Sequence, residues 1–218
     1  MPGTRALDRA IRERHLLKHP FYTAWTKGEL PLPTLQRYAG QYYHFERAFP
    51  QYVAAAYARI PDPRGRRVLL ENLIDEEGRD PTHPELWLQF AEGLGVRRAA
   101  VTRGRPLPST SALCRTYEEL TLNGSAPQAL GALYAYESIF PEVAAEKSRG
   151  LAAHYGITDA AAHEFFRVHT EADVAHSAAE RQLLAREMAR NPRAARAALA
   201  AVNRTVTGWW KFLDAFTA

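Results

Sequence analysis

Residues 169–176 read His-Thr-Glu-Ala-Asp-Val-Ala-His, and the placing of His169, Asp173 and His176 in that stretch governs how the rest of the chain is read. The spacing is i, i+4, i+7. On a helix of 3.6 residues per turn the three side chains fall within roughly 60° of one another, on a single stripe. Two imidazoles and a carboxylate on one stripe make one side of a metal site. Such an N,N,O set suits iron or manganese better than a structural zinc, which favours thiolates. Alone, the stripe is as readily a solvated helix face, so the metal reading needs donors from elsewhere in the chain.

Two other segments offer them. Glu76 lies seven residues before His83 in Asp-Glu-Glu-Gly-Arg-Asp-Pro-Thr-His (75–83), and Glu137 closes Leu-Tyr-Ala-Tyr-Glu (133–137) inside an apolar helical stretch. Glu76, His83, Glu137, His169, Asp173 and His176 are three carboxylates and three imidazoles, enough for two metal ions. Carboxylate-rich sites of this type are assembled in bundle cores from facing helices. Glu71, Asp75 and Glu77 are expected to face solvent or to support the ligands. His15, His19, His44, His154 and His163 fall in no ligand pattern.

The flanking sequence agrees with a bundle. Apolar residues recur at helical spacing over about 4–17, 33–60, 63–78, 84–95, 109–122, 126–149 and 159–190, and Asn191-Pro192 caps a last helix through the Trp209-Trp210 pair. No alternating strand pattern, internal repeat or low-complexity linker is evident. The expectation is an all-α bundle of about seven main helices forming one domain over 1–218, a length that supports one sizeable core. Pro81 denies a continuous helix between Glu76 and His83. Pro141, four residues after Glu137, denies the Glu137 carbonyl its usual donor, so a kink is expected there.

Composition narrows the function. The hydrophobic fraction of 46% is that of a globular protein, and the formal charge of +4 comes mostly from scattered arginines. No basic run is interleaved with aromatics, so nucleic acid is not an expected partner. Cys114 is the one cysteine, which excludes an internal disulfide framework and fits a cytoplasmic location. No apolar run reaches membrane-span length, and the first residues carry no secretory pattern.

The ligand pattern resembles the haem-oxygenase-like dimetal oxidases, relatives of the PqqC and TenA folds, over about residues 16–216. Within them it is most similar to the CADD-type self-sacrificing 4-aminobenzoate synthases. That resemblance implies a haem-oxygenase-like bundle, often a homodimer, holding two ions (iron–iron or iron–manganese) and using dioxygen with an external reductant. It implies that the ring of a tyrosine of the protein itself becomes 4-aminobenzoate, for folate synthesis. The matching tyrosine is Tyr22 in His-Pro-Phe-Tyr-Thr-Ala-Trp (19–25), and the matching lysine, implicated in amination, is Lys147. Tyr38 and Tyr136 match further aromatic positions, and Tyr38, Tyr136 or Trp87 would relay an electron. Three other readings stand beside this one. A sister oxygenase would use the same ligands on a free small molecule. A cofactorless oxidase or a thiaminase would not need the six ligands, the latter wanting an active-site cysteine. An adaptor protein would use the bundle only for binding.

Overall fold

The backbone of residues 2–217 is described by a computed structural model, and among these residues all the regular structure is helix, with no strand. The helices are α1 (Arg5–Glu13), α2 (Pro20–Lys27), α3 (Leu32–Glu46), α4 (Phe49–Arg59), α5 (Pro63–Glu77), α6 (His83–Gly93), α7 (Arg98–Arg103), α8 (Pro108–Thr121), α9 (Ala126–Glu137), α10 (Phe140–Tyr155), α11 (Ala160–Arg190) and α12 (Pro192–Asp214). None is long and apolar enough to cross a membrane.

Local chemistry sets the boundaries. Asp62, Thr82, Asp159 and Asn191 each accept a hydrogen bond from a first-turn amide of the helix they precede, and Pro63, Pro84 and Pro192 stand at first-turn positions where the missing N–H costs nothing. Gly28 and Gly156 end α2 and α10 with φ of +70° and +66°, the left-handed conformation that glycine adopts without a Cβ clash.

Two segments that read as single helices are each divided. The stretch 33–60 parts between Glu46 and Phe49, ahead of Pro50. The stretch 126–149 parts between Glu137 and Phe140, ahead of Pro141, and its second half runs on to Tyr155. At Pro141 the chain therefore breaks into two helices, where the sequence had suggested a kink. In both places the proline becomes a first-turn residue of a new helix, and the glutamate three residues before the Phe-Pro pair becomes the last residue of the old one. The break expected at Pro81 falls between α5 and α6.

Helix α11 is the central element. It packs against α10, α6, α9 and α5, while α12 closes over α9 and α8. Gly131 of α9 permits that last approach, because a Cβ there would lie 2.9 Å from the Ala198 carbonyl of α12. The buried residues form a contiguous core from Leu7 to Phe216, unusually rich in Tyr, Trp and Phe. The site lies where α11 faces α5, α6 and α9.

Candidate metal centre

Six side chains from four helices converge in two trios. Glu76, His83 and His169 present donor atoms all within 4.8 Å of one another, and so do Glu137, Asp173 and His176. All six are buried. The long, unbroken α11 carries three of them on one stripe. The break between α5 and α6 brings His83 back to face Glu76, and Glu137 reaches the site because α9 ends on it. The sequence-derived ligand set is thus brought together whole, and none of His15, His19, His44, His154 and His163 joins it.

Neighbours aim these donors. His169 donates from Nδ1 to the Phe165 carbonyl at 2.8 Å, which directs its other ring nitrogen away from its own helix. His176 donates from Nε2 to Asp75 at 2.9 Å and leaves Nδ1 without a partner, 3.8 Å from Asp173. Asn72 donates to Glu137 Oε1 at 2.8 Å, leaving Oε2 without a partner. Hydrogen-bonding the far side of a ligand to fix its orientation is how metal sites are held. Of the flanking acids, Glu71 and Glu77 are exposed, whereas Asp75 supports His176.

The donor atoms meet without satisfying one another. His83 Nδ1 lies 3.0 Å from Glu76 Oε2, yet the two lack hydrogen-bond alignment, and Asp173 Oδ2 has no donor at all. Buried polar atoms left unpaired are costly and rare, so two buried trios of them fit two cations. Without a cation, electrostatics shifts several of these groups. Burial, with Glu137 and Glu76 nearby, pushes Asp173 up to about 8. Burial also raises Glu137, against the opposing pull of His176. For His176 burial works downward, but Asp173, Glu137 and Asp75 outweigh it and lift the imidazole to about 9. Burial and the neighbouring His83 hold His169 well below the usual histidine range.

Beside the trios lies an aromatic chamber. Tyr22, Tyr38, Trp87, Tyr136 and Lys147 are all buried in it. The Tyr22 and Tyr38 hydroxyls are 3.1 Å apart, and burial raises both phenols well above the ordinary tyrosine range. Lys147 Nζ has no hydrogen-bond partner and stands 5.8, 5.3, 4.6 and 5.2 Å from the rings of Tyr22, Tyr38, Tyr42 and Trp87. Burial among these rings holds its amine well below the usual lysine range. The Trp87 ring lies 6.1 Å from Tyr38 and 4.8 Å from Phe165, which sits 4.0 Å from His169, so ring contacts run without a gap from Tyr22 to a proposed ligand. Tyr136 joins through a hydroxyl–hydroxyl bond to Tyr42, itself stacked on Trp87 at 4.1 Å.

Four participants lay outside the sequence reading. Tyr42 links Tyr136 to Trp87, and Asn72 orients Glu137. Glu46 and Glu180 are buried carboxylates with no hydrogen-bond partner on either oxygen. Burial holds both acids well above the usual carboxylate range. Two signals for them were present. Glu180 continues the stripe of α11 one turn beyond His176. Glu46 lies in Phe-Glu-Arg-Ala-Phe-Pro (45–50), which repeats the form of Tyr-Glu-Ser-Ile-Phe-Pro (136–141).

Comparison with known proteins gives a concordant picture. The model of the family described as iron-containing redox enzymes matches residues 36–210. A 4-aminobenzoate synthase of Nitrosomonas europaea is 41% identical over 217 residues, covering 95% of this chain and 88% of that protein. One from Chlamydia pneumoniae is 39% identical over 211 residues, covering 96% and 92%. Among solved structures, a TenA homologue from Pseudomonas syringae superposes with a TM-score of 0.82 at 18% identity, covering 98% of this chain and 90% of that one, a likeness of fold.

Proposed function

Because the chain belongs to the family of iron-containing redox enzymes and is an oxidoreductase of haem-oxygenase-like fold, we propose that it makes 4-aminobenzoate from its own Tyr22 in a single turnover. Two ions, iron with iron or iron with manganese, held by Glu76, His83, His169, Glu137, Asp173 and His176, would supply the oxidising power, drawing on dioxygen and an external reductant.

The chain's own residues do the rest. Tyr22 supplies the ring. Its phenol stays protonated in the buried chamber, so its oxidation must release a proton together with an electron. The Tyr38 hydroxyl, at 3.1 Å, is placed to hydrogen-bond the Tyr22 phenol and hold it in orientation. The rings of Tyr38, Trp87 and Phe165, with Tyr42 and Tyr136 alongside, give the electron a contiguous route towards His169. Lys147 serves amination: burial favours its neutral amine, the form with a free lone pair.

The observation that carries this reading is the meeting of Lys147 with Tyr22. They come from α10 and α2, 125 positions apart by their numbers (147 − 22), and are 0% and 1% exposed. Both are already packed into the core. A free aromatic substrate would have to displace that packing, which favours use of the resident ring over the sister-oxygenase reading. The test is intact mass and product analysis after loading with iron, or iron and manganese, and adding reductant and oxygen. Ring-labelled tyrosine incorporated in the protein should appear in 4-aminobenzoate, at no more than about one per chain because each event destroys a residue. Tyr22→Phe and Lys147→Ala should each abolish product with metal still bound. Full yield from Tyr22→Phe, or many products per chain from an added substrate, would replace this reading with the conventional oxygenase.

A further inference from the structure

We propose that Glu180 is a seventh protein ligand, binding the same ion as Glu137, Asp173 and His176. The inference rests on the metal reading above and extends it to a residue outside the six-ligand pattern.

Three observations carry it. First, position: from His169 the offsets along α11 are 4, 7 and 11 to Asp173, His176 and Glu180, so all four side chains share one stripe of the helix. Second, isolation: Glu180 is 0% exposed and neither of its oxygens has a hydrogen-bond donor. Third, contact: the Glu180 carboxyl adjoins the carboxyl of Glu137, and with no cation present only a proton shared between the two can join them. Asn72, the amide donor in this corner, is already spent on Glu137 Oε1. Arg181, the adjacent cation in sequence, is turned outward to Asp8. Two carboxyls pressed together in a dry interior, joined by no more than a shared proton, make a place where a cation can take the proton's part.

The consequence is chemical inequality between the halves. Glu76, His83 and His169 offer two imidazoles and one carboxylate. Glu137, Asp173, His176 and Glu180 offer one imidazole and three carboxylates. Imidazole-rich sets suit iron, and carboxylate-rich sets accommodate manganese, so the Glu180 half is the better manganese site.

The rival role for Glu180 is as a hydrogen-bonding support for Glu137, and Glu180→Gln separates the two. Glutamine keeps the size and gains an N–H that can support Glu137, but it brings no anionic oxygen to an ion. Metal-free full-length protein titrated with Mn(II), followed by free-ion paramagnetic resonance and elemental analysis, should bind two ions per chain as wild type. Glu180→Gln should bind one, or bind the second at least about tenfold more weakly, a loss of the size seen when metal-site partners are removed. Circular dichroism checks that the variant folds. If it does not, crystals of the Mn(II)-loaded wild type decide. An ion at ligand distance from a Glu180 oxygen, about 2.0–2.2 Å as for carboxylates on comparable divalent ions, supports the proposal. An ion on Glu137, Asp173 and His176 with both Glu180 oxygens beyond bonding reach overturns it. Two ions bound by Glu180→Gln with unchanged affinity overturn the role of Glu180 alone. Wild type with no ion at Glu137, Asp173 and His176 overturns it together with the dimetal reading.

Discussion

Glu46 and Glu137 occupy the same station in two different helices: each is the last residue of its helix, and each is followed three residues later by a Phe-Pro pair that opens the next. Ending a helix on a glutamate leaves no further turn of the same helix to crowd it, and both side chains are buried in the bundle. In α9 that geometry delivers a proposed ligand. In α3 it delivers a buried carboxylate towards Glu76, Asp173 and Lys147. The two proline breaks are therefore part of how the site is built.

Removing a proposed ligand should remove an ion without unfolding the chain. His169→Ala or Asp173→Ala is expected to lose at least one of two bound ions, measured by elemental analysis after loading and desalting. His163→Ala is the control. Its ring is held by Ser148 and the Ile157 carbonyl, away from the trios, and its ion content should match wild type. An unchanged ion count for both ligand variants would dismantle the metal centre.

Lys147 should cost the metal-free protein stability. Its amine is fully buried and has no hydrogen-bond partner. Lys147→Met keeps length and apolar bulk, so its thermal midpoint should rise by several degrees, in keeping with about 1–3 kcal/mol for an unsatisfied buried polar group. The pH dependence follows from the sign of the shift. Burial holds the folded amine below its ordinary 10.5, so the unfolded chain binds the extra proton. The penalty is therefore relieved as pH rises towards 10.5 and grows as pH falls towards the folded value. The gap between Lys147→Met and wild type should narrow from pH 7 to pH 10. A gap that widens, or a variant less stable than wild type at pH 7, would contradict the assignment.

Gly150 should be intolerant of a methyl group. A Cβ there would stand 2.6 Å from Cδ1 and Nε1 of Trp25, whose indole donates to the Lys147 carbonyl at 3.2 Å. Gly150→Ala must push Trp25 aside and disturb the backbone that presents Lys147. We expect a loss of about 1–3 kcal/mol in denaturant unfolding, typical of overpacking. Product yield should fall while ion content is kept. Unchanged stability would mean that the α2–α10 contact is looser than the distances indicate.

How much of this could be read beforehand depended on range. Helical periodicity and the His169-Asp173-His176 stripe are local, set by 3.6 residues per turn, and they survive folding unchanged. The partners Glu76, His83 and Glu137 were legible because the stripe demanded donors and few buried segments offered them. Asn72 was not, since its role depends on α5 lying beside α9, a tertiary fact with no local mark. Tyr42 fits the apolar pattern of α3 as well as any core residue, and only its contacts with Trp87 and Tyr136 set it apart. The division at Phe49-Pro50 was foreseeable from the proline but was masked by strong periodicity on either side.

The near-total burial of Tyr22 has a bearing on what is left after the reaction. Its ring fills the space between Phe21, Trp25 and Tyr38. If that ring leaves as product, the chain becomes its own large-to-small mutant with a void in its core. Excising a buried aromatic costs about 3–5 kcal/mol, against a total stability of about 5–15 kcal/mol for an ordinary domain. The spent protein would then melt earlier and be cut faster by protease than the unreacted one. Quality-control machinery would thus distinguish exhausted molecules from fresh ones with no dedicated tag, and the supply of product would be metered by the rate at which new chains are made.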